Sequence, residues 1–151
     1  SDVYKRQMPD WTAKRTANAQ AILDICAKWE AKGYLSVPRL EESPQFADST
    51  HAYYKLYVYV QPDNLPEGWS RDRIIEEINK LGVPCFSGSA SEVYLEKAFD
   101  NTGLRPESRL PVAKQLGETS LMFLVHPTLT ADEIKQTLQG IDSVLTKIDD
   151  Q

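Results

Sequence analysis

Apolar residues fall on two rhythms along the chain. Trp11, Arg15, Asn18, Ile22, Ile25, Cys26 and Trp29 recur at spacings of three and four. Their apolar members make one stripe, best defined from Ile22 to Trp29, as in an amphipathic helix. Alanines at 13, 17, 19, 21, 27 and 31 add helix propensity. Pro9 suits the first turn of this helix, and Gly33 supplies its C-terminal stop. Ser1–Gln7 carries no periodicity and is read as a linker, tag or assembly scar. The domain proper then covers 8–151.

Residues 36–50 contain Pro38 and Pro44 and read as a loop. The second rhythm has period two. From His51 to Gln61, Tyr54, Leu56, Val58 and Val60 alternate with Tyr53, Lys55, Tyr57 and Tyr59, which predicts a strand. Both sets are bulky, so both faces of that strand are expected to be at least partly covered. Pro62–Gly68 is a loop. Ser70 caps a helix whose buried face is Ile74, Ile75, Ile78 and Leu81, closed by Gly82. Val83–Phe86 is a short strand, Ser87–Ser91 a small polar loop, and Glu92–Phe99 a short helix or ordered loop. Residues 100–110 are irregular. Pro111 opens a short helix through Leu116, stopped by Gly117, and Leu121–Val125 is an apolar run of strand length. Thr130 and Glu133 form a capping-box pattern before a stripe of Ile134, Leu138, Ile141, Val144, Leu145 and Ile148. The expected fold class is α+β, a three-stranded, largely antiparallel sheet packed by helices.

The chain has 151 residues and a formal net charge of −5. That length suits one domain or a piece of a larger protein. The mild acidity argues against a nucleic-acid partner, which calls for a clustered basic face. No apolar run reaches the ~18 residues that a membrane span needs. No secretory signal is visible either, so a cytoplasmic location is expected. Cys26 and Cys85 are far apart and read as buried thiols in a reducing compartment. With two histidines, His51 and His126, and no ligand cluster at metal spacing, no metal site is expected.

Candidate chemistry is sparse. There is no nucleophile elbow, P-loop or dinucleotide fingerprint. Ser87-Gly88-Ser89 lets backbone approach a ligand and offers hydroxyl and N–H donors, or is a plain flexible loop. Glu92 and Tyr94 follow, able to bond sugar hydroxyls or to sit at the start of a surface helix. Arg105 and Arg109 are able to clamp a carboxylate or diphosphate, with a solvated loop as the plainer role. His51 and His126 read as satisfied structural residues rather than catalytic ones.

Five segments in a fixed order resemble the C-terminal part of the DegT/DnrJ/StrS family of pyridoxal-phosphate-dependent, fold-type I sugar aminotransferases. They are Arg15-Thr16-Ala17-Asn18-Ala19; His51-Ala52-Tyr53-Tyr54; Arg71-Asp72 through Leu81-Gly82-Val83; Leu110-Pro111-Val112-Ala113; and Leu121–Val125 with His126-Pro127-Thr128-Leu129-Thr130. The resemblance runs from Pro9 to Ile148. It implies the small domain of an enzyme that transfers an amino group to a keto-sugar, usually nucleotide-linked, with pyridoxal phosphate as electron sink. It also implies a large cofactor-binding domain in the same polypeptide and a homodimer, with this part contributing a substrate-site lid and dimer contacts.

Two departures shape that expectation. The family's Schiff-base lysine motif is absent, and His51 with Lys55 imitates it only at the wrong spacing and inside a strand pattern. The chain alone is therefore expected to hold no pyridoxal phosphate, to contribute no catalytic residue and to be inactive. Where many members carry His-Tyr-Pro, this chain has Gly88-Ser89-Ala90. The loop's place is carried over, not those side chains, so Ser87, Gly88, Ser89, Glu92 and Tyr94 are the expected substrate-binding residues. The alternative is a stand-alone α+β domain for small-molecule binding or assembly, with a natural start near Met8. A regulatory module with a repeated β-α-β pattern does not fit the element order.

Overall fold

The computed structural model describes residues 2–39, 44–46 and 48–151. Ser1, and residues 40–43 and 47 of the loop expected over 36–50, lie outside the described residues. The described residues form four α-helices and four strands, in the order α1 (Asp2–Ala31), β1 (Leu35–Ser36), β2 (Leu56–Val60), α2 (Arg71–Lys80), β3 (Cys85–Phe86), α3 (Pro111–Thr119), β4 (Ser120–Phe123) and α4 (Ala131–Asp149).

The class is α+β, but the sheet has four strands rather than three, in the order β1-β2-β4-β3 and antiparallel throughout. The added strand, β1, is two residues long, too short to show any period. It exists because Gly33, at φ 85, reverses the chain at the end of α1. Leu35 then pairs with Val60, while the Gln61 N–H donates to the Tyr34 carbonyl at 2.9 Å.

β2 is shorter than the alternation suggests and begins at Leu56. Upstream, Tyr53 adopts φ 45 and donates its N–H to Nδ1 of His51 at 2.9 Å. Arg15 Nε donates to the Ala52 carbonyl at 3.2 Å. Turn chemistry there overrides the strand preference of the aromatic residues, and Tyr54 is left 81% exposed.

One side of the sheet carries the core. Leu56 and Val58 stand opposite Phe123 and Leu121 in the β2–β4 ladder, and Val60 opposite Leu35 in the β1–β2 ladder. Ala19, Ile22, Cys26 and Trp29 of α1, Ile74 and Ile78 of α2, and Ile141, Val144, Leu145 and Ile148 of α4 close over them. The α2 face is narrower than expected, since Ile75 is half-buried and Leu81 is exposed. Ile134 and Leu138 lie at the half-buried edge of the α4 stripe. Cys26 and Cys85 are free, buried thiols, and burial pushes each up to about 12, as for inert packing residues.

Helix ends follow their local signals with two exceptions. Ser70 accepts from the Arg73 N–H, and Thr130 and Glu133 form the reciprocal capping box. Pro9, however, lies inside α1, because residues 2–8 continue the helix with every side chain exposed. Gly117 lies inside α3 rather than ending it. A Cβ at Gly117 would overlap Oγ of Ser91 and meet its Cβ at 3.0 Å, so this glycine permits a close approach of helix and loop.

The residues that carried the family resemblance act here as fasteners. Asn18 Nδ2 donates to the carbonyls of Val125 and His126, at 3.4 and 3.2 Å, tying α1 to the end of the strand layer. Arg71 Nη1 donates to the carbonyls of Gly117 and Ser120, at 2.9 and 3.2 Å, fixing the junction of α3 and β4.

Candidate substrate site

Successive strand residues point to opposite faces. Tyr57, opposite Met122 in the β2–β4 ladder, therefore lies on the sheet face turned away from the core. The Ser87–Ser91 loop leaves β3 and crosses this face. It is not a plain flexible loop. Ser120 Oγ donates to the Ser87 carbonyl at 2.6 Å, and the Ser89 N–H donates to the Tyr57 hydroxyl at 3.4 Å. Gly88, at φ 91, lies so close to Tyr57 that a Cβ there would overlap Cε1 of its ring. Gly117 admits Ser91 from behind. An open cleft of about 350 Å³ results, lined by Ser87, Ser89, Ser91, Glu92, Lys114 and Glu118, with Gly88 among its backbone walls.

Four of the five expected residues, Ser87, Gly88, Ser89 and Glu92, thus line one cleft. Tyr94 stands behind it. Its hydroxyl donates to Glu92 Oε1 at 2.5 Å and accepts from the Leu110 N–H at 2.9 Å. Lys114, Gly117 and Glu118 came from no motif. The one available signal was Gly117 itself, a glycine inside a helical pattern that continues past it.

The two arginines are used internally. Arg109 grips Glu92 through Nη2 and, at 2.9 Å, through Nε. Arg105 gathers the carbonyls of Tyr94, Leu95 and Glu96 at 2.7, 2.9 and 3.1 Å. Together they close the 92–110 segment into a strap tied at Glu92. The histidines are likewise occupied, His51 by the Tyr53 N–H and His126 through Nδ1 to Thr128 Oγ1 at 2.8 Å.

The Arg109 hydrogen bonds, and then the Tyr94 hydroxyl, hold the Glu92 carboxyl at about 2. A depressed carboxylate stabilises the fold fully above its ordinary value of 4.5, and loses that contribution as pH falls through about 2. A carboxyl-detected NMR titration should accordingly place Glu92 near 2, with the strap closed at pH 4. A midpoint near 4.5 would show that the pair does not form.

A larger cavity of about 600 Å³ lies beside β2, with Gln20 and Asp24 of α1, His51, Lys55, Tyr57 and Tyr59 in its wall. Lys55 and Lys114 are the lysines of the two cavities. A Schiff-base lysine works from a desolvated pocket that favours the free amine. Lys55 instead holds its ammonium 5.9 Å from the ring of the exposed Tyr54, and Lys114 is 45% exposed, 3.9 Å from Glu118. Neither fits the Schiff base of pyridoxal phosphate. Among the described residues, no group of three or more His, Cys, Asp or Glu side chains is arranged to hold a metal ion. None of the described helices is long and apolar enough to cross a membrane.

No family model and no curated protein matches the chain. Solved structures do. The chain is 84% identical to the aminotransferase from Psychrobacter cryohalolentis over 98% of its own length, with a TM-score of 0.95, and covers 38% of that chain. A DegT DnrJ EryC1 StrS aminotransferase from Brucella abortus matches 89% of this chain at 18% identity and a TM-score of 0.64, with 31% of its own length covered. NtdA from Bacillus subtilis, with bound cofactor PMP, matches 90% at 18% identity and a TM-score of 0.68, with 28% of its length covered. The last two show a shared fold. The chain spans about a third of the proteins it resembles.

Proposed function

We propose that this chain, similar to about a third of an aminotransferase of the DegT/DnrJ/EryC1/StrS type, is the C-terminal small domain of such an enzyme. The observation that carries the reading is the 84% identity over nearly the whole chain to an aminotransferase of which it covers 38%. The remaining length of that relative is where a pyridoxal-phosphate domain belongs, since neither Lys55 nor Lys114 suits the Schiff base. The parent enzyme would act in the cytoplasm, as a homodimer, on a nucleotide-linked keto-sugar.

In that enzyme the Ser87–Ser91 loop lines the sugar site. Its serine hydroxyls suit a polyhydroxylated ligand, and Glu92 is kept ionised to accept hydrogen bonds. The strap from Glu92 to Leu110 supplies the lid and subunit contacts. Exposed Val93, Leu95, Leu104 and Leu110 give it an apolar outer surface of the kind that marks contact with another domain.

Extending the coding sequence upstream should reveal a large α/β domain with the cofactor lysine. In the completed enzyme, Ser87→Trp should raise KM for the keto-sugar about tenfold or more by filling the cleft, with kcat little changed. An unchanged KM would remove the loop from the site.

A further inference from the structure

We propose that Tyr57 is a positioning residue for the substrate site, acting through the Ser87–Ser91 loop and touching no substrate itself. The proposal rests on the reading that this loop lines the sugar site.

Three observations converge on Tyr57. Its hydroxyl accepts from the Ser89 N–H at 3.4 Å. Its ring edge fills the space that a side chain at position 88 would need, and the hydroxyl would stand 3.1 Å from a Cβ there. It also borders the 600 Å³ cavity. The ring is half-buried, and the loop packs against it at Gly88. Here loop and ring fix each other, and strand β2 provides the rigid base that a loop lacks. The Ser120 hydroxyl anchors the loop's first residue. Tyr57 is then what sets the height of Gly88 and Ser89 above the sheet.

Tyr59 gives an internal control. It stands two residues along the same strand face and, like Tyr57, borders the larger cavity, whereas the Ser89 N–H and the space above Gly88 meet Tyr57. Its hydroxyl is pushed up by burial and then by the neighbouring Tyr57.

The test is a variant set in the full-length enzyme that carries this chain. Tyr57→Phe removes only the hydroxyl and should raise KM for the keto-sugar about three- to tenfold, with kcat within about twofold. Tyr57→Leu removes the ring support as well and should raise KM further, while Tyr59→Phe should leave both constants unchanged. In the 151-residue chain, Ser89 amide exchange should quicken about tenfold in Tyr57→Phe without a matching loss of thermal stability. If Ser87→Trp raises KM and the Tyr57 variants do not, the positioning role falls and the loop's place in the site stands. If Ser87→Trp also leaves KM unchanged, both fall. Tyr59→Phe effects as large as those of Tyr57→Phe would likewise overturn the assignment, because they would mark a general response of the sheet face.

Discussion

Trp29→Ala is expected to destabilise the chain by about 3–5 kcal/mol, the range for deleting a buried Trp or Phe side chain. Trp29 is 1% exposed and is the largest fully buried side chain, set where α1 meets α4. Its Nε1 donates to Asp142 Oδ1 at 3.1 Å, and the same carboxylate receives the Lys28 ammonium at 2.6 Å. The ammonium groups of Lys28 and Lys32 lie 4.5 and 5.1 Å from its ring centroid. The cavity left by truncation would sit in the seam that joins the first helix to the last. A domain of this size has a total stability of only about 5–15 kcal/mol, so the variant should be near the edge of folding. Trp29→Phe separates the terms, keeping most of the packing and losing the Asp142 bond at a cost of about 1 kcal/mol. Urea unfolding of the three proteins is the measurement. An alanine variant within 1 kcal/mol of the parent would mean that the seam does not close as described.

Gly88→Ala should cost about 1–3 kcal/mol and displace the Ser87–Ser91 loop. Two penalties act together. A side chain at φ 91 is strained, and its Cβ would overlap the Tyr57 ring, which cannot retreat without breaking its contact with Ser89. Gly103→Ala isolates the first penalty, since Gly103 has φ 71 and nothing within 4 Å of an added Cβ. It should cost about 1 kcal/mol and leave the loop in place. Thermal unfolding and backbone chemical shifts of residues 87–91 distinguish the two variants. Equal costs, with unmoved shifts for Gly88→Ala, would show that the loop does not rest on Tyr57.

Much of this arrangement is legible in the sequence. The stripes of α1 and α4 and the Ser70 and Thr130 caps are local signals, so residues three or four apart suffice to reveal them. The Leu56–Val60 alternation is visible for the same reason. The boundaries failed where a distant partner intervened. Arg15 reaches Ala52 from another element and helps to end the extended run before Leu56. Gly117 was read as a helix stop because its real constraint, Ser91, lies 26 positions earlier in the chain and touches it only in the fold.

The candidate site divides in the same way. The sequence by itself determined the α+β class, the order of the elements other than β1, the family resemblance and the absence of that family's cofactor lysine motif. It also singled out Ser87, Gly88, Ser89, Glu92 and Tyr94, through the place of their loop in the family resemblance and residue types able to hydrogen-bond a ligand. Only the tertiary structure decided that the loop is pinned, that Arg105 and Arg109 are already engaged by the strap, and that Lys114, Gly117 and Glu118 complete the cleft. Periodicity and capping depend on neighbours within one turn or one strand step, which the order of residues states directly. A cleft depends on contacts such as Ser89 with Tyr57 and Glu92 with Arg109, across 32 and 17 positions. Those are set by how the sheet and its helices pack.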